Sequence, residues 1–268
     1  MLFLIFINDI AYNLRSNCLL YADDTLLFDI LDNLQLSGDK LNNDLDSIGD
    51  WAKRWLVTIS PNKTKCMTIS SKPYKPQHPQ LFHNNMLINE VSIHKHLGII
   101  LSCNLSWRPH VLSIYEKASK RLNFLKEIQF KVSRDTLMKL YKSLIRPMME
   151  YADVIWDGCN EDDSELIESV QYEAARVVTG AMRGQVDPDC CTKLEMKIRR
   201  KFYKLVFYFK IKSRLVPSYL SELIPCTVGQ RTQIIYVYTI MHDAIFSVLL
   251  FFSYVDTHRL IKTVIKGA

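Results

Sequence analysis

The chain has 268 residues, 48% hydrophobic and 23% charged, with only 8 Gly and 9 Pro, which excludes a disordered, collagen-like or disulfide-scaffold protein and gives ample length for a buried core. The 34 Lys and Arg against 28 Asp and Glu leave a net charge of +6, compatible with a polyanionic partner without demanding one. Seven cysteines form an odd set with no Cys-x-x-Cys pair and with Cys190 beside Cys191, so reduced thiols in an intracellular compartment are expected.

The first seven residues are apolar but have no basic residue before them and run straight into Asn8 and Asp9. They are not expected to act as a signal peptide, which places the chain in the nucleus or cytoplasm rather than in a secreted pool. Next come Cys18-Leu-Leu-Tyr-Ala-Asp-Asp-Thr-Leu-Leu-Phe28, two apolar runs around a polar pair, the pattern of a hairpin. Over 33–56, Leu34, Leu41, Leu45, Ile48, Ala52, Trp55 and Leu56 recur at three- and four-residue intervals and predict an amphipathic helix. Residues 57–106 hold short β-rich runs, Val57-Thr-Ile59, Cys66-Met-Thr-Ile69, Leu81-Phe82, Met86-Leu-Ile88 and Leu97-Gly-Ile-Ile-Leu101, separated by Pro, Asn, Ser and Gly. The least regular stretch is 71–79, with three prolines.

After Trp107 the pattern turns helical. Val111, Tyr115, Ala118, Leu122 and Leu125 share one face; a second helix is expected from Ser133, an N-cap, to Arg146 before Pro147; a third from 164 to 179, closed by Gly180; and a fourth from about 191 to 213. The layout is α+β first and all-helical second. An apolar run at 234–255 is long enough to span a membrane, but His242 and Asp243 interrupt it, and no stable membrane association is expected.

Charge is uneven along this half. Residues 108–146 carry +7 and 193–214 carry +8, whereas 150–173 carry −9. The basic stretches offer a phosphate-facing surface through Lys117, Lys120, Arg121, Arg199, Arg200, Lys201 and Lys204. The plainer alternative is that they pair with the acidic stretch between them.

Tyr21-Ala22-Asp23-Asp24 is the strongest local signal. Two adjacent carboxylates at a hairpin tip repel one another, and a divalent cation relieves the repulsion. Magnesium suits one or two carboxylates plus waters and substrate phosphates, and a pair of such ions about 3.5–4 Å apart activates an attacking hydroxyl and steadies a leaving pyrophosphate.

The order of segments around this tip carries a resemblance. Leu2-Phe-Leu-Ile-Phe-Ile-Asn-Asp-Ile10, Tyr21-Ala-Asp-Asp-Thr-Leu-Leu-Phe28, Trp51 and Trp55, Ser60-Pro-Asn-Lys-Thr-Lys65 and His94-Lys-His-Leu-Gly-Ile99 resemble, in order and spacing, the second half of the reverse transcriptase of a non-LTR (LINE-like) retrotransposon. Leu105-Ser-Trp-Arg-Pro-His110, Lys117-Ala-Ser-Lys-Arg-Leu122, Ile145-Arg-Pro147, Glu150-Tyr-Ala-Asp-Val-Ile-Trp156 and Gln171-Tyr-Glu-Ala-Ala-Arg176 through Ala181 are similar to the region after the palm in animal elements of this kind. The likeness runs to about residue 231. It implies a partial right-hand polymerase palm over 1–106, a helical thumb and connecting region over 107–231, and a divergent apolar tail over 232–268.

The resemblance also implies roles. Asp23 and Asp24 belong to the metal-binding hairpin of the palm, with magnesium as the ion of the complete enzyme, and Tyr21 and Ala22 lie near the primer terminus. Lys63 matches a lysine that protonates departing pyrophosphate, a role an ammonium near phosphates can fill. Lys95, His96, Leu97 and Gly98 match a hairpin that grips the primer, where glycine lets a backbone pass close. His94 and His96 share a strand face, but without further ligands nearby zinc is not expected. The partners implied are an RNA template, a DNA primer and deoxynucleotides; the oligomeric state is left open. In the family a further catalytic aspartate and the fingers precede the segment matched by residues 2–10, so this chain alone is expected to be an inactive fragment of an RNA-directed DNA polymerase. A noncatalytic nucleic-acid-binding module using the basic helices is the alternative. Without its upstream partner, the apolar run at 1–7 is expected to lie exposed.

Overall fold

The computed structural model describes residues 2–30, 34–70, 79–181, 196–221 and 260–266. The prolines at 73 and 76, the start of the expected fourth helix and the apolar run at 234–255 lie outside the described residues. The described residues form two compact units, one holding those up to Ser106 together with 260–266, the other those from Trp107 to 221.

In the first unit, α1 (Leu2–Asn8) passes into a 3-10 turn (Asp9–Ala11) and then into the hairpin of β1 (Asn17–Tyr21) and β2 (Asp24–Ile30). Leu2, Phe3, Leu4 and Ile5 are exposed on α1. On α2 (Leu34–Arg54), Leu41, Leu45, Ile48 and Ala52 recur at helical spacing and are all buried, packed with Ile7, Ile10, Leu27, Cys66, Leu81 and Ile88. The expected stripe also holds Trp55 and Leu56, but the helix stops short of them. Leu56 takes a left-handed backbone, φ 56°, and the Leu56 and Val57 amides return to the carbonyls of Lys53 and Ala52. That is the usual closing geometry of a helix, and it turns Leu56 out to solvent. The buried carboxylate of Asp44 ties α2 to the start of β1 by accepting from the amides of Arg15 (2.9 Å) and Ser16 (2.7 Å).

The main sheet has the order β1-β2-β9-β3-β6, with β3 spanning Lys65–Ile69, β6 Asn89–Glu90 and β9 Leu260–Lys266. The position of β9 differs from the sequence expectation, which leaves 232–268 as a tail. Leu-Ile-Lys-Thr-Val-Ile-Lys is rich in β-branched residues, and it pairs antiparallel with β2 on one side and β3 on the other. Two small antiparallel hairpins flank the sheet: β4 (Phe82–His83) with β5 (Met86–Leu87), and β7 (Ile93–His96) with β8 (Ile99–Ser102). The latter is anchored to the end of β3 by the Ser70 amide donating to the Cys103 carbonyl, 3.0 Å. Of the run Val57-Thr-Ile59, only Ile59 takes part in a bridge.

The second unit is helical: α3 (Arg108–Ile128), α4 (Arg134–Leu140), α5 (Arg146–Glu150), α6 (Asp153–Trp156), α7 (Glu161–Thr179), α8 (Met196–Lys212) and α9 (Ser218–Ser221). Ser133 caps α4 by accepting from the Thr136 amide, and Gly180 closes α7 at φ 74°. Asn160 caps α7, accepting from Asp163, so that helix starts three residues before the position expected from sequence. Pro147 does not end the second helix. A π-turn at Tyr141–Ile145 relaxes the bonding pattern, and the proline falls in the first turn of α5, where its missing amide costs nothing. Val111, Ile114, Ala118, Leu122 and Leu125 form the buried stripe of α3. Among the described residues no helix is long and apolar enough to cross a membrane.

Candidate functional site

Register brings two separate segments of the candidate site to one end of the main sheet, through their shared neighbour β9. Tyr21 pairs with Asp24, leaving Ala22 and Asp23 as a two-residue turn in which Ala22 has φ 52°. Tyr21, Ala22 and Asp23 are exposed and Asp24 half-buried. On β9, Asp24 lies opposite residue 266, while Lys65 lies opposite residue 264. Both β2 and β3 run antiparallel to β9, so they start from the same end of the sheet. The turn that carries Lys63, closed by the Lys63 amide donating to the Ser60 carbonyl (3.2 Å), therefore sits at the end of the sheet that carries Asp23 and Asp24. Two strand spacings, roughly 10 Å, separate β2 from β3. Lys63 is exposed at this end of the sheet.

The segment 95–98 forms the turn between β7 and β8. Leu97 and Gly98 have φ values of 46° and 85°, the two left-handed positions of a tight hairpin turn. The turn itself thus accounts for Gly98. Lys95 and Gly98 are exposed, Leu97 is half-buried, and His96 is buried because strand alternation points it inward. Its ring is not presented to a ligand in this arrangement.

The residues of the basic stretches divide between ion pairs and exposed positions. Arg199 pairs with Glu150, and Arg200 and Lys204 both pair with Asp157. Arg200 is only 1% exposed, its guanidinium 4.6 Å above the Trp156 ring. Arg108 likewise pairs with Asp163, Lys126 with Glu173, and Arg146 with Glu150. The alternating charge blocks largely neutralise one another within the second unit. This redirects three of the seven expected phosphate contacts, because a cation inside an ion pair is not available to a backbone phosphate without leaving a half-buried carboxylate unpaired. Lys117, Lys120 and Arg121 on α3 and Lys201 on α8 stay exposed, with Arg121 donating to the Leu144 carbonyl, 2.7 Å.

The fit to magnesium is incomplete. The donors present at the hairpin tip are Asp23 and Asp24 from one element, and among the described residues no three His, Cys, Asp or Glu side chains come together as a metal site. Two carboxylates without a partner element do not fix the geometry of an ion.

Sequence reading missed the cluster around Trp156. Here His110 meets the indole edge at 5.9 Å, Trp156 Nε1 donates to the Tyr151 carbonyl (3.0 Å), and Asp153 is buried next to Ala152, whose φ is 51°. Glu150-Tyr-Ala-Asp-Val-Ile-Trp156 was visible as a motif, but only the fold shows that it buries a carboxyl, an indole and an arginine together.

No family model matches the chain, and no solved structure matches it. Among curated proteins, the RNA-directed DNA polymerase from mobile element jockey of Drosophila funebris is 27% identical over 164 residues, 60% of this chain and 18% of that protein. The probable RNA-directed DNA polymerase from transposon X-element of Drosophila melanogaster is 24% identical over 134 residues, 49% of this chain and 14% of that protein. The retrovirus-related Pol polyprotein from type-1 retrotransposable element R1 of Bradysia coprophila is 28% identical over 110 residues, 40% of this chain and 11% of that protein. The chain spans less than a fifth of the length of these relatives, and within that span it is similar to the RNA-directed DNA polymerases of non-LTR retrotransposons.

Proposed function

We propose that this chain is a fragment of a retrotransposon RNA-directed DNA polymerase, in which the β1–β2 hairpin and the turn before β3 form one side of a palm active site and the helical unit serves as thumb and connecting region. The observation that carries the reading is the shared sheet end: register brings Asp23, Asp24 and Lys63, the first and last of them 40 residues apart in sequence, to the same end of the sheet. In the complete enzyme the two carboxylates would take part in binding a divalent metal that activates the primer hydroxyl. Tyr21 and Ala22 would lie along the primer terminus. Lys63 would hold a proton near the departing pyrophosphate, where a cation also offsets developing charge. Lys117, Lys120 and Arg121, at i, i+3 and i+4 on the exposed side of α3, would face the phosphates of template or primer.

Because the described residues do not by themselves complete a magnesium site, the fragment is proposed to be inactive alone. Primer extension on an RNA template with magnesium and deoxynucleotides tests this. The purified chain is expected to yield no product, and its Asp23→Ala variant to be indistinguishable from it. Extension that Asp23→Ala abolishes would overturn the proposed inactivity and establish a self-sufficient active site.

A further inference from the structure

Helix α8 buries Met196 and Ile211 on its inner side, yet carries a second line of apolar residues on its outer side. Its sequence, Met-Lys-Ile-Arg-Arg-Lys-Phe-Tyr-Lys-Leu-Val-Phe-Tyr-Phe-Lys-Ile-Lys, holds no acidic residue, and Arg199, Arg200 and Lys204 are turned inward onto Glu150 and Asp157. Facing outward are Ile198, Phe202, Leu205 and Phe209, which are 51, 61, 57 and 64% exposed. Their spacing of four, three and four residues draws a single narrow stripe along the helix. That is the repeat by which one helix interlocks with another, each side chain seating in a gap on the facing helix. A surface helix without a partner ordinarily carries polar residues along its outer side.

The edge of the stripe indicates the partner's charge. Lys201 adjoins Phe202, Lys212 extends the line three residues past Phe209, and both are exposed. A second copy of this helix would set lysines against lysines, which is unfavourable at such range. A single-stranded nucleic acid stacks on aromatic rings but gains nothing from the aliphatic Ile198 and Leu205. A lipid surface does not require a spacing of four, three and four. We propose that the outer face of α8 docks an amphipathic helix of a partner protein, one whose apolar stripe is edged by Asp and Glu. This surface goes beyond the polymerase reading and does not depend on it.

Fluorescence anisotropy of two labelled helical peptides against the full chain tests the proposal. Both peptides carry Leu at a spacing of four and three; one has Glu along its edges and the other Lys. The Glu-edged peptide is expected to bind about tenfold or more tightly than the Lys-edged one, and Phe202→Ser with Phe209→Ser to weaken it by about tenfold or more. Both phenylalanines are exposed, so the melting temperature of that variant should hold. Lys201→Glu with Lys212→Glu is expected to reverse the preference between the peptides. Equal or absent binding of the two peptides overturns the proposal. So does a concentration-dependent dimer, or saturable binding to anionic vesicles or single-stranded RNA, that is lost in the phenylalanine variant while peptide binding is not; these results assign the stripe to a second copy, a membrane or a nucleic acid.

Discussion

Trp156→Ala is expected to destabilise the second unit by about 3–5 kcal/mol, the range for removing a fully buried large aromatic. The side chain is completely buried, and three interactions end with it: the indole donation to Tyr151, the edge contact with His110 and the face that carries Arg200. Loss of that face leaves the buried Arg200, among the described residues, with long contacts of 3.5 Å to Asp157 Oδ1 and 3.4 Å to Ser164 Oγ. Since a domain's whole stability is about 5–15 kcal/mol, this one truncation is expected to bring the unit close to unfolding at ambient temperature. Denaturant titration followed by far-UV circular dichroism measures it. Phe130→Ala, at an exposed site, is the control and is expected to stay within about 0.5 kcal/mol of the parent. Similar losses for the two variants would mean that Trp156 does not organise the helical unit.

The second large effect is a pH response concealed in the parent protein. Burial, reinforced by the charge of Lys117, lowers His110 from 6.5 to about 4. The unfolded chain therefore binds the proton first, and the stability His110 contributes above about pH 6.5 is lost as the pH falls toward 4. Burial raises Asp153 from 3.8 to about 6, with the Val154 amide opposing. The sign is opposite: Asp153 contributes stability below its unfolded value that is lost as the pH rises through 6, so at pH 7 its buried charge is a net cost. Each shift corresponds to roughly 3 kcal/mol, and the two windows nearly coincide. The parent protein is thus expected to show a shallow profile between pH 4 and 6.5. Asp153→Asn, which keeps the shape and the oxygen that accepts from Val154 (2.8 Å), should stabilise the unit at pH 7 by up to about 3 kcal/mol. It should also uncover a steep fall below pH 6.5. Melting temperatures across this range measure both. A variant no more stable than the parent at pH 7 would show that Asp153 carries no buried charge.

Much of the first unit is legible in sequence because its signals are local. The Asp23-Asp24 hairpin follows from two apolar runs and a polar pair, and α2 from Leu41, Leu45, Ile48 and Ala52 at helical intervals. Local signals do not reach β9, whose pairing with β2 spans nearly the whole chain and is decided by which strand edge lies open. The same limit applies to Lys63: its place at the sheet end of Asp23 emerges only from the two registers on β9. Pro147 was misleading because a breaker ends a helix only where its amide would be needed, and the π-turn before it moves that requirement away.

Charge was the least transparent property. Read along the chain, blocks of +8 and −9 allow either a phosphate-facing surface or pairing with one another, and only the fold shows Glu150 and Asp157 drawing Arg199, Arg200 and Lys204 inward. The outward stripe of Ile198, Phe202, Leu205 and Phe209 was present in the sequence at a spacing of four, three and four. Spacing alone does not say whether such a stripe is core or surface; the burial of the helix's other side decides it.

The central proposal, that the Asp23-Asp24 hairpin is the acidic tip of a retrotransposon polymerase palm, is tested most directly by transplanting residues 17–30 into the full-length jockey polymerase in place of the residues that align with them. Primer extension on an RNA template is then measured. The account predicts that the chimera extends the primer at a rate within about tenfold of the parent polymerase, and that Asp23→Ala or Asp24→Ala in the transplanted hairpin lowers extension by roughly 10²-fold or more. A chimera that folds but incorporates no nucleotide, or one whose activity survives both substitutions, would contradict it.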